Sequence, residues 1–354
     1  MSALQTPAPS LAQRYGAQVR RRITVLLLLL GLLLLVFATD LGTGPAGITW
    51  HTVWQGLRAP QQLDEGTRVI LWELRLPYAV MAVLVGAALG LAGAQMQTVL
   101  NNPLASPFTL GLSAAASVGA SLAIVTGFTA WGLGPELALP LCAFGGAIFA
   151  ALIIHVLAWR WGASVNGVVL FGIALMFSCE ALLWLLQFLA DSNALQQIVF
   201  WSMGSLGRST WPKIGVLATV LLVCALWTQS QAWSLTALRN GEDHARSSGV
   251  AVERLRLESL VRVSLLSGTA LAFVGTIGFV GLVGPHIARL SLGEDHRFYL
   301  PASALAGALM LSCASILSKV LLPGVVLPIG IVTALVGVPV FMLLVLRHQG
   351  GLRT

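Results

Sequence analysis

Gly86-Ala-Ala-Leu-Gly-Leu-Ala-Gly93 returns as Gly268-Thr-Ala-Leu-Ala-Phe-Val-Gly275, a run of small residues written twice at an offset of 182. Small residues on a helix let two backbones approach closely where lipid surrounds them. The register extends outward: Pro103 meets Pro285, Leu110-Gly111 meets Leu292-Gly293, and nine of 36 positions between 76 and 111 match. Chance sharing of small packing residues in a Gly-, Ala- and Leu-rich chain is the competing explanation.

Composition names the solvent. Of 354 residues, 57% are hydrophobic and 9% charged, where a soluble domain carries about 25% charged residues. A water-soluble globule of this size could not be clothed with so few polar groups. Apolar runs near the ~20-residue spanning length cover 23–38, 78–99, 137–159, 165–189, 214–227, 260–283, 299–320 and 329–346. Short Gly-rich helices at 109–127 and 282–292 complete an all-α polytopic membrane protein of about ten transmembrane helices, with inverted repeats and short broken helices. One membrane domain, 23–348, follows a cytoplasmic leader, 1–22, and precedes a cytoplasmic tail, 349–354.

The chain carries a net charge of +7, but its basic residues lie in short clusters between apolar runs and form no single face, so membrane topology explains them better than nucleic acid. With both termini cytoplasmic and ten crossings, fourteen basic residues fall inside, including Arg14, Arg20, Arg21, Arg22, Arg239, Arg254, Arg256, Arg262, Arg289 and Arg297. Six fall outside: Arg58, Arg68, Arg75, Arg208, Lys213 and Lys319. That is the positive-inside bias. Arg75 precedes the first repeat on the outside and Arg254, Arg256 and Arg262 precede the second on the inside, so the copies run in opposite directions, as in transporters built from inverted repeats. Arg20-Arg-Arg22 before a leucine run resembles a signal peptide, but Ala38-Thr39-Asp40 is a poor cleavage site, and the first helix is expected to stay. Cys142, Cys179, Cys224 and Cys313 lie in apolar runs without C-x-x-C spacing and read as packing residues, with no metal site expected.

A P-loop needs Gly-x-x-x-x-Gly-Lys, yet the only lysines, Lys213 and Lys319, follow Pro212 and Ser318. Transport would need a partner or an ion gradient for energy. Four segments stand out. Arg75-Leu-Pro-Tyr78 opens an apolar helix on the outer side, either as an interfacial anchor or as a docking charge. Gln97 to Pro107, with Asn102-Pro103, is polar and proline-broken, hence a turn or unwound helix end. Residues 235–256, the longest charged stretch, carry an apolar component at Leu235, Leu238, Ala245 and Gly249, and Asn240-Gly241 divides them into two short helices. The stretch 275–289 is punctuated by Gly275, Gly278, Gly281 and Gly284, each costing about 1 kcal/mol in a helix, which suggests close packing or a hinge; His286 within it reads as structural. Glu180 is the only carboxylate deep in an apolar run, and with His155 it supplies the case for a proton-coupled carrier.

With these segments in order, residues 70–348 resemble the FecCD/cobalamin-permease family, the permease subunits of ATP-binding-cassette importers for ferric siderophores, haem and cobalamin. The resemblance rests on Arg75-Leu-Pro77, Gly93-Ala-x-x-Gln97 with Asn102-Pro-Leu-Ala-x-Pro107, Trp201-x-x-Gly204-Ser205, Asn240-Gly-Glu-x-x-Ala-x-x-x-Gly249, Gly278-Phe-Val-Gly-Leu-Val-x-Pro-His-Ile-x-Arg289 with Asp295-His-Arg297, and Leu327-Pro-Ile-Gly through Phe341. It implies two permeases around a central path, two ATPase subunits below that hold ATP and Mg, and a periplasmic or lipid-anchored binding protein above. This chain itself would hold no cofactor and do no covalent chemistry. Leu238, Asn240, Gly241, Glu242, Ala245 and Gly249 would couple to the ATPase. Arg75 and Lys319 would dock the binding protein as water-exposed rim charges. Gln97, Asn102, Pro103, Gly278, Gly281, Pro285, Pro328 and Gly330 are candidates for the path or its hinges.

The chain departs from the family pattern in three places. Tyr78 replaces the second arginine of Arg-Leu-Pro-Arg, Ser315 and Lys319 replace the acid and base of Ala-Asp-x-x-x-Arg, and Ser248 replaces the leucine of Ala-x-x-Leu-Gly. A missing docking arginine slightly favours pairing with a different second permease over a homodimer. The expectation is an inner-membrane subunit of an iron-chelate importer, most of all for a ferric siderophore. A gradient-driven carrier using Glu180 and a non-transporting scaffold are the rivals.

Overall fold

The computed structural model describes residues 10–45, 47–127, 134–160 and 165–350. The first nine residues of the expected leader and Arg353 in the tail lie outside the described residues. Helix α1 (Leu11–Gly42) begins on a capping box in which Ser10 and Gln13 exchange side-chain and backbone bonds. Its 32 residues span about 48 Å at 1.5 Å per residue, more than the ~30 Å hydrocarbon core. The arginines expected in a separate leader instead extend this helix, because arginine is a good helix former and the extra turns lie beyond the lipid. A short α2 (Trp50–Arg58) precedes α3 (Glu65–Val99), which contains a π-helical turn over Ile70–Arg75.

Next come α4 (Leu112–Val125), α5 (Pro135–Arg160), α6 (Val165–Leu189), α7 (Ser192–Ser202) and α8 (Trp211–Ser230). Two short helices, α9 (Ala232–Arg239) and α10 (Glu242–Ser247), lead into α11 (Val252–Val274), α12 (Val280–Leu292), α13 (His296–Val320) and α14 (Ile329–Gly350). Among the described residues there is no strand, only an isolated bridge between Leu322 and Val325. Among the described residues seven helices are long and apolar enough to cross a membrane: α1, α3, α5, α6, α8, α11 and α13. Two shorter apolar helices are α4 and, over Ile329–Leu343, most of α14.

The apolar run 260–283 is not one helix. It breaks after Val274, where Gly275 takes φ +81° and Phe279 takes φ +66° before α12 begins. Hydropathy cannot show such a break, since the residues on both sides are equally apolar.

The succession of helix lengths follows the repeat, but not in the register of the sequence pairing. Helices α3–α6 have counterparts in α11–α14: 35, 14, 26 and 25 residues against 23, 13, 25 and 22. The short second member is preserved in both. Pro103, however, sits in the loop before α4, while Pro285 sits inside α12. The helices also exchange partners across the repeat. α3 packs on α13, with Gly86 against Gly307, and α11 packs on α5, with Gly268 against Phe144 and Ala147.

The tightest approach is between α3 and α12, where a Cβ on Gly93 would stand 1.9 Å from the Gly281 carbonyl oxygen. Neither backbone can yield without moving a helix. Gly93→Ala should therefore destabilise the protein by about 1–3 kcal/mol, the usual cost of overpacking, seen as a lower thermal midpoint in detergent. Gly31→Ala on α1, with nothing within 4 Å, should leave the midpoint unchanged or raised. Equal midpoints for the two variants would refute the close contact.

Candidate functional site

The hairpin α9–α10 is divided where expected, at Asn240-Gly241, with Gly241 at φ +122°. Leu235, Leu238 and Ala245 point inward and are buried in the chain's own core. Asn240, Gly241 and Gly249 are exposed, and Glu242 is half-buried. The six residues assigned to ATPase coupling thus divide into an inner anchor, Leu238 and Ala245, and an outer tip. A bulky residue at Ala245 would disturb this chain's own packing and not a partner's surface.

Polar contacts root the hairpin in the membrane helices. Arg239 at the end of α9 pairs with Glu294 at 2.9 Å, and Arg289 of α12 meets the other oxygen of the same carboxylate at 3.0 Å. Arg289 also donates to the Gln97 side-chain oxygen at 3.0 Å, and the Gln97 amide donates to the Gly281 carbonyl at 3.4 Å. Arg239 further bonds Asn101, a non-glycine residue at φ +40° in the turn that ends α3. Burial pushes the Glu294 carboxyl up, but the Arg239 hydrogen bond and the charges of Arg239, Arg289 and His296 outweigh it and leave it below its ordinary range. Asp295 is held low first by its bond from Arg297 and is also paired with Arg22 at 2.7 Å, which ties α1 to this end.

A second anchor is Arg262, wholly buried in α11. It donates to Gln95 at 2.7 Å, to Gln231 at 2.8 Å and to Ser259 at 2.8 Å, and lies over the Trp227 ring. Gln231, between α8 and α9, passes its own amide hydrogen to Glu258, which pairs with Arg254. His296 closes the set: its Nε2 lies 2.8 Å from the Thr98 hydroxyl and its Nδ1 3.2 Å from that of Thr236 on α9. Sequence reasoning assigned no role to Arg239, Arg262, Glu294 or His296. The rule that singled out Glu180, an ionisable group inside an apolar run, would have found Arg262.

The path candidates fall in two places. Gln97, Gly281 and Pro285 are buried together where α3 meets α12, and Gly278 lies in the break before α12. Asn102 and Pro103 lie in the turn after α3, and Asn102 shares a cavity of about 510 Å³ with Leu238, Gly241, Glu242 and Arg256. Pro328 and Gly330 start α14 on the other side, where the amides of Ile329 and Gly330 donate to the Gly204 and Met203 carbonyls at 3.1 and 3.0 Å. Glu180 and His155 are half-exposed on α6 and α5, and among the described residues no hydrogen bond or ion pair joins them. The four cysteines are unpaired, and no cluster of three metal-ligating side chains forms among the described residues.

The outer charges correct the sequence expectation. Arg75 and Lys319 are not exposed rim groups; both are buried inside the chain. Arg75 is 6% exposed and donates to the Leu41 and Gly42 carbonyls at the end of α1. Lys319, its side chain 6% exposed, pairs at 2.8 Å with Asp40, 1% exposed. Ser315 donates to both Asp40 oxygens at 2.8 Å, and the Lys319 ammonium sits 4.4 Å from the Tyr78 ring centre. Asp40 is 279 positions from Lys319, too remote for sequence to suggest the pair.

Seven candidate spans among the described residues, a helix break before α12 and a charged hairpin bonded to α3 and α12 describe a polytopic membrane protein. The chain belongs to the FecCD transport family, whose model matches residues 17–347. It is 36% identical over 334 residues to the hemin transport system permease protein HmuU of Yersinia pestis, covering 91% of this chain and 96% of that one. It is 39% identical over 323 residues to the vitamin B12 import system permease protein BtuC of Klebsiella pneumoniae, covering 91% and 94%. Its fold matches an inward-facing structure described as a metal-chelate type ABC transporter, with a TM-score of 0.81 and 29% identity over 92% of this chain and 99% of that one.

Removing one member of a buried ion pair leaves an unpaired charge and costs about 3–5 kcal/mol. Asp40→Ala should lower the thermal midpoint sharply, and adding Lys319→Met should restore most of it. A single variant as stable as the parent would mean that water reaches the pair.

Proposed function

We propose that this permease carries an iron chelate, a ferric siderophore before haem or cobalamin, from an outer binding protein to the cytoplasm. The observation that carries the reading is the unbroken polar connection from the exposed α9–α10 tip, through Arg239, Glu294 and Arg289, to Gln97 of α3 and the start of α12. A rigid push on the tip by a partner ATPase, which supplies ATP and Mg, is delivered to the helices beside the candidate path. Haem and vitamin B12 permeases among the relatives support a bulky chelate as cargo. The apolar faces left open on α6 and α14 suit lipid and a second permease, and a different partner would supply the outer charges that this chain keeps buried. The setting is the bacterial inner membrane, with both termini cytoplasmic. The Glu180 carrier reading gains no support, because no polar network reaches that carboxylate among the described residues.

Two measurements test this. A cysteine at exposed Ser247 should be labelled by an impermeant maleimide only after the cells are opened; labelling of intact cells would reverse the topology. In proteoliposomes holding the assembled importer, Arg239→Gln should leave ATPase docking and hydrolysis in place while slowing ATP-driven siderophore uptake roughly tenfold, the effect of losing a charged hydrogen bond of about 1.5–3 kcal/mol. Glu180→Gln should transport as the parent does. Uptake that survives without the ATPase but stops with Glu180→Gln or an ionophore would replace the importer with the carrier.

A further inference from the structure

Under α7, on the outer side, lies a cavity of about 470 Å³ that none of the contacts above uses. Asn193, Gln196, Gln197 and Phe200 line it from one face of α7, at the three- and four-residue spacing that stacks helical side chains. Trp201 and Arg208 complete the polar and aromatic lining. Arg208 donates one amino group, Nη2, to the Phe200 carbonyl at 3.2 Å, while Nη1 is shielded from water and has no hydrogen-bond partner.

No carboxylate pairs with Arg208 among the described residues. Lys213 lies close by, donating to the Arg208 carbonyl at 2.9 Å, and Glu136 of α5 acts on the Lys213 charge. Burial pulls the Arg208 pKa down, yet a guanidinium remains charged throughout the physiological range. An unmet donor on a partly buried cation is costly, and a second cation beside it adds to the demand for negative charge. Three side-chain amides in reach supply further donors, and the two rings supply an apolar flank.

We propose that this cavity is an oxyanion subsite that takes a carboxylate on the edge of an anionic chelate larger than the cavity itself. Arg208 binds the oxyanion as a planar fork after a small rotation of its guanidinium, and the amides of Asn193, Gln196 and Gln197 complete its shell. The phosphate of a phospholipid headgroup offers the same chemistry at this depth. The assignment to cargo rests on the transport reading above; the oxyanion chemistry does not.

The full chain in phosphatidylcholine nanodiscs, without ATPase or binding protein, tests the subsite. Haem, with two carboxylates, and its neutral dimethyl ester are the probes, titrated by the Soret band. The parent should bind haem at least about tenfold more tightly than the ester, Arg208→Gln should erase the preference, and Arg208→Lys should keep part of it. Gln197→Leu, on an exposed position, should weaken the preference without touching a charge, and it serves if Arg208→Gln fails to fold. In phosphatidylglycerol-containing nanodiscs, anionic lipid retained by the parent and lost from Arg208→Gln, with no haem preference, would assign the oxyanion to a headgroup. Equal preference and equal lipid retention in parent and variants would overturn the subsite. That result alongside normal ATP-driven uptake would leave the transport reading standing, and binding without uptake would do the reverse.

Discussion

Backbone contact between α3 and the second repeat is the constraint on which the other features rest. Lipid gives apolar helices little reason to associate, so close packing has to supply the attraction. Gly86 and Gly93 remove side chains from one strip of α3, and the backbones of Gly307 on α13 and Gly281 on α12 occupy the space. That docking sets the axial position of α3. Its C-terminal end then delivers Gln95, Gln97, Thr98 and Asn101 within hydrogen-bond distance of Arg262, Arg289, His296 and Arg239. Hydrogen bonds weaken steeply with angle and distance, so the polar connection to the hairpin depends on the glycine strip above it.

The same need for partners explains why charge in this protein gathers at helix ends. A charge inside the membrane must be paired or fully hydrogen-bonded. Arg262 takes the second course, with neutral side chains on three of its nitrogens and an aromatic face below. Glu294 takes the first, shared between two arginines from different helices. Each of these groups joins separate elements, so the network ties the positions of the helices to that of the hairpin.

The sequence showed the elements that hydropathy and turn chemistry control. The hairpin break at Asn240-Gly241 and the two short helices, expected at 109–127 and 282–292 and found at 112–125 and 280–292, were legible, each from a local signal. What was not legible came from long-range pairing. The break after Val274 lies in uniformly apolar sequence, where the glycines from Gly275 onward suggested close packing or a hinge but hydropathy carried the run 260–283 straight through it. The network around Glu294 joins residues from four separate segments, and no spacing rule connects Arg239 with Asn101. Lys319 reads as a surface charge because a lysine near a helix end usually is one; its acid is on the first helix.

That acid also changes the meaning of two of the three departures from the family pattern, those at Tyr78 and at Ser315 with Lys319. Taken singly, Ser315, Lys319 and Tyr78 read as a lost carboxylate, a weaker cation and a missing arginine. In space two of those losses are answered at once: Asp40 enters from α1 against Ser315, whose hydroxyl bonds both of its oxygens, and Lys319 faces that carboxylate. Arg75, buried close by, is already a second cation near this carboxylate. The Tyr78 ring lies beside the Lys319 ammonium, and its hydroxyl meets Ser318 at 3.2 Å, so position 78 adds no third charge to one buried acid. With these contacts α1, otherwise mostly exposed, is fixed to α13 near its C-terminal end by the Asp40–Lys319 pair and nearer its N-terminal end by the Arg22–Asp295 pair.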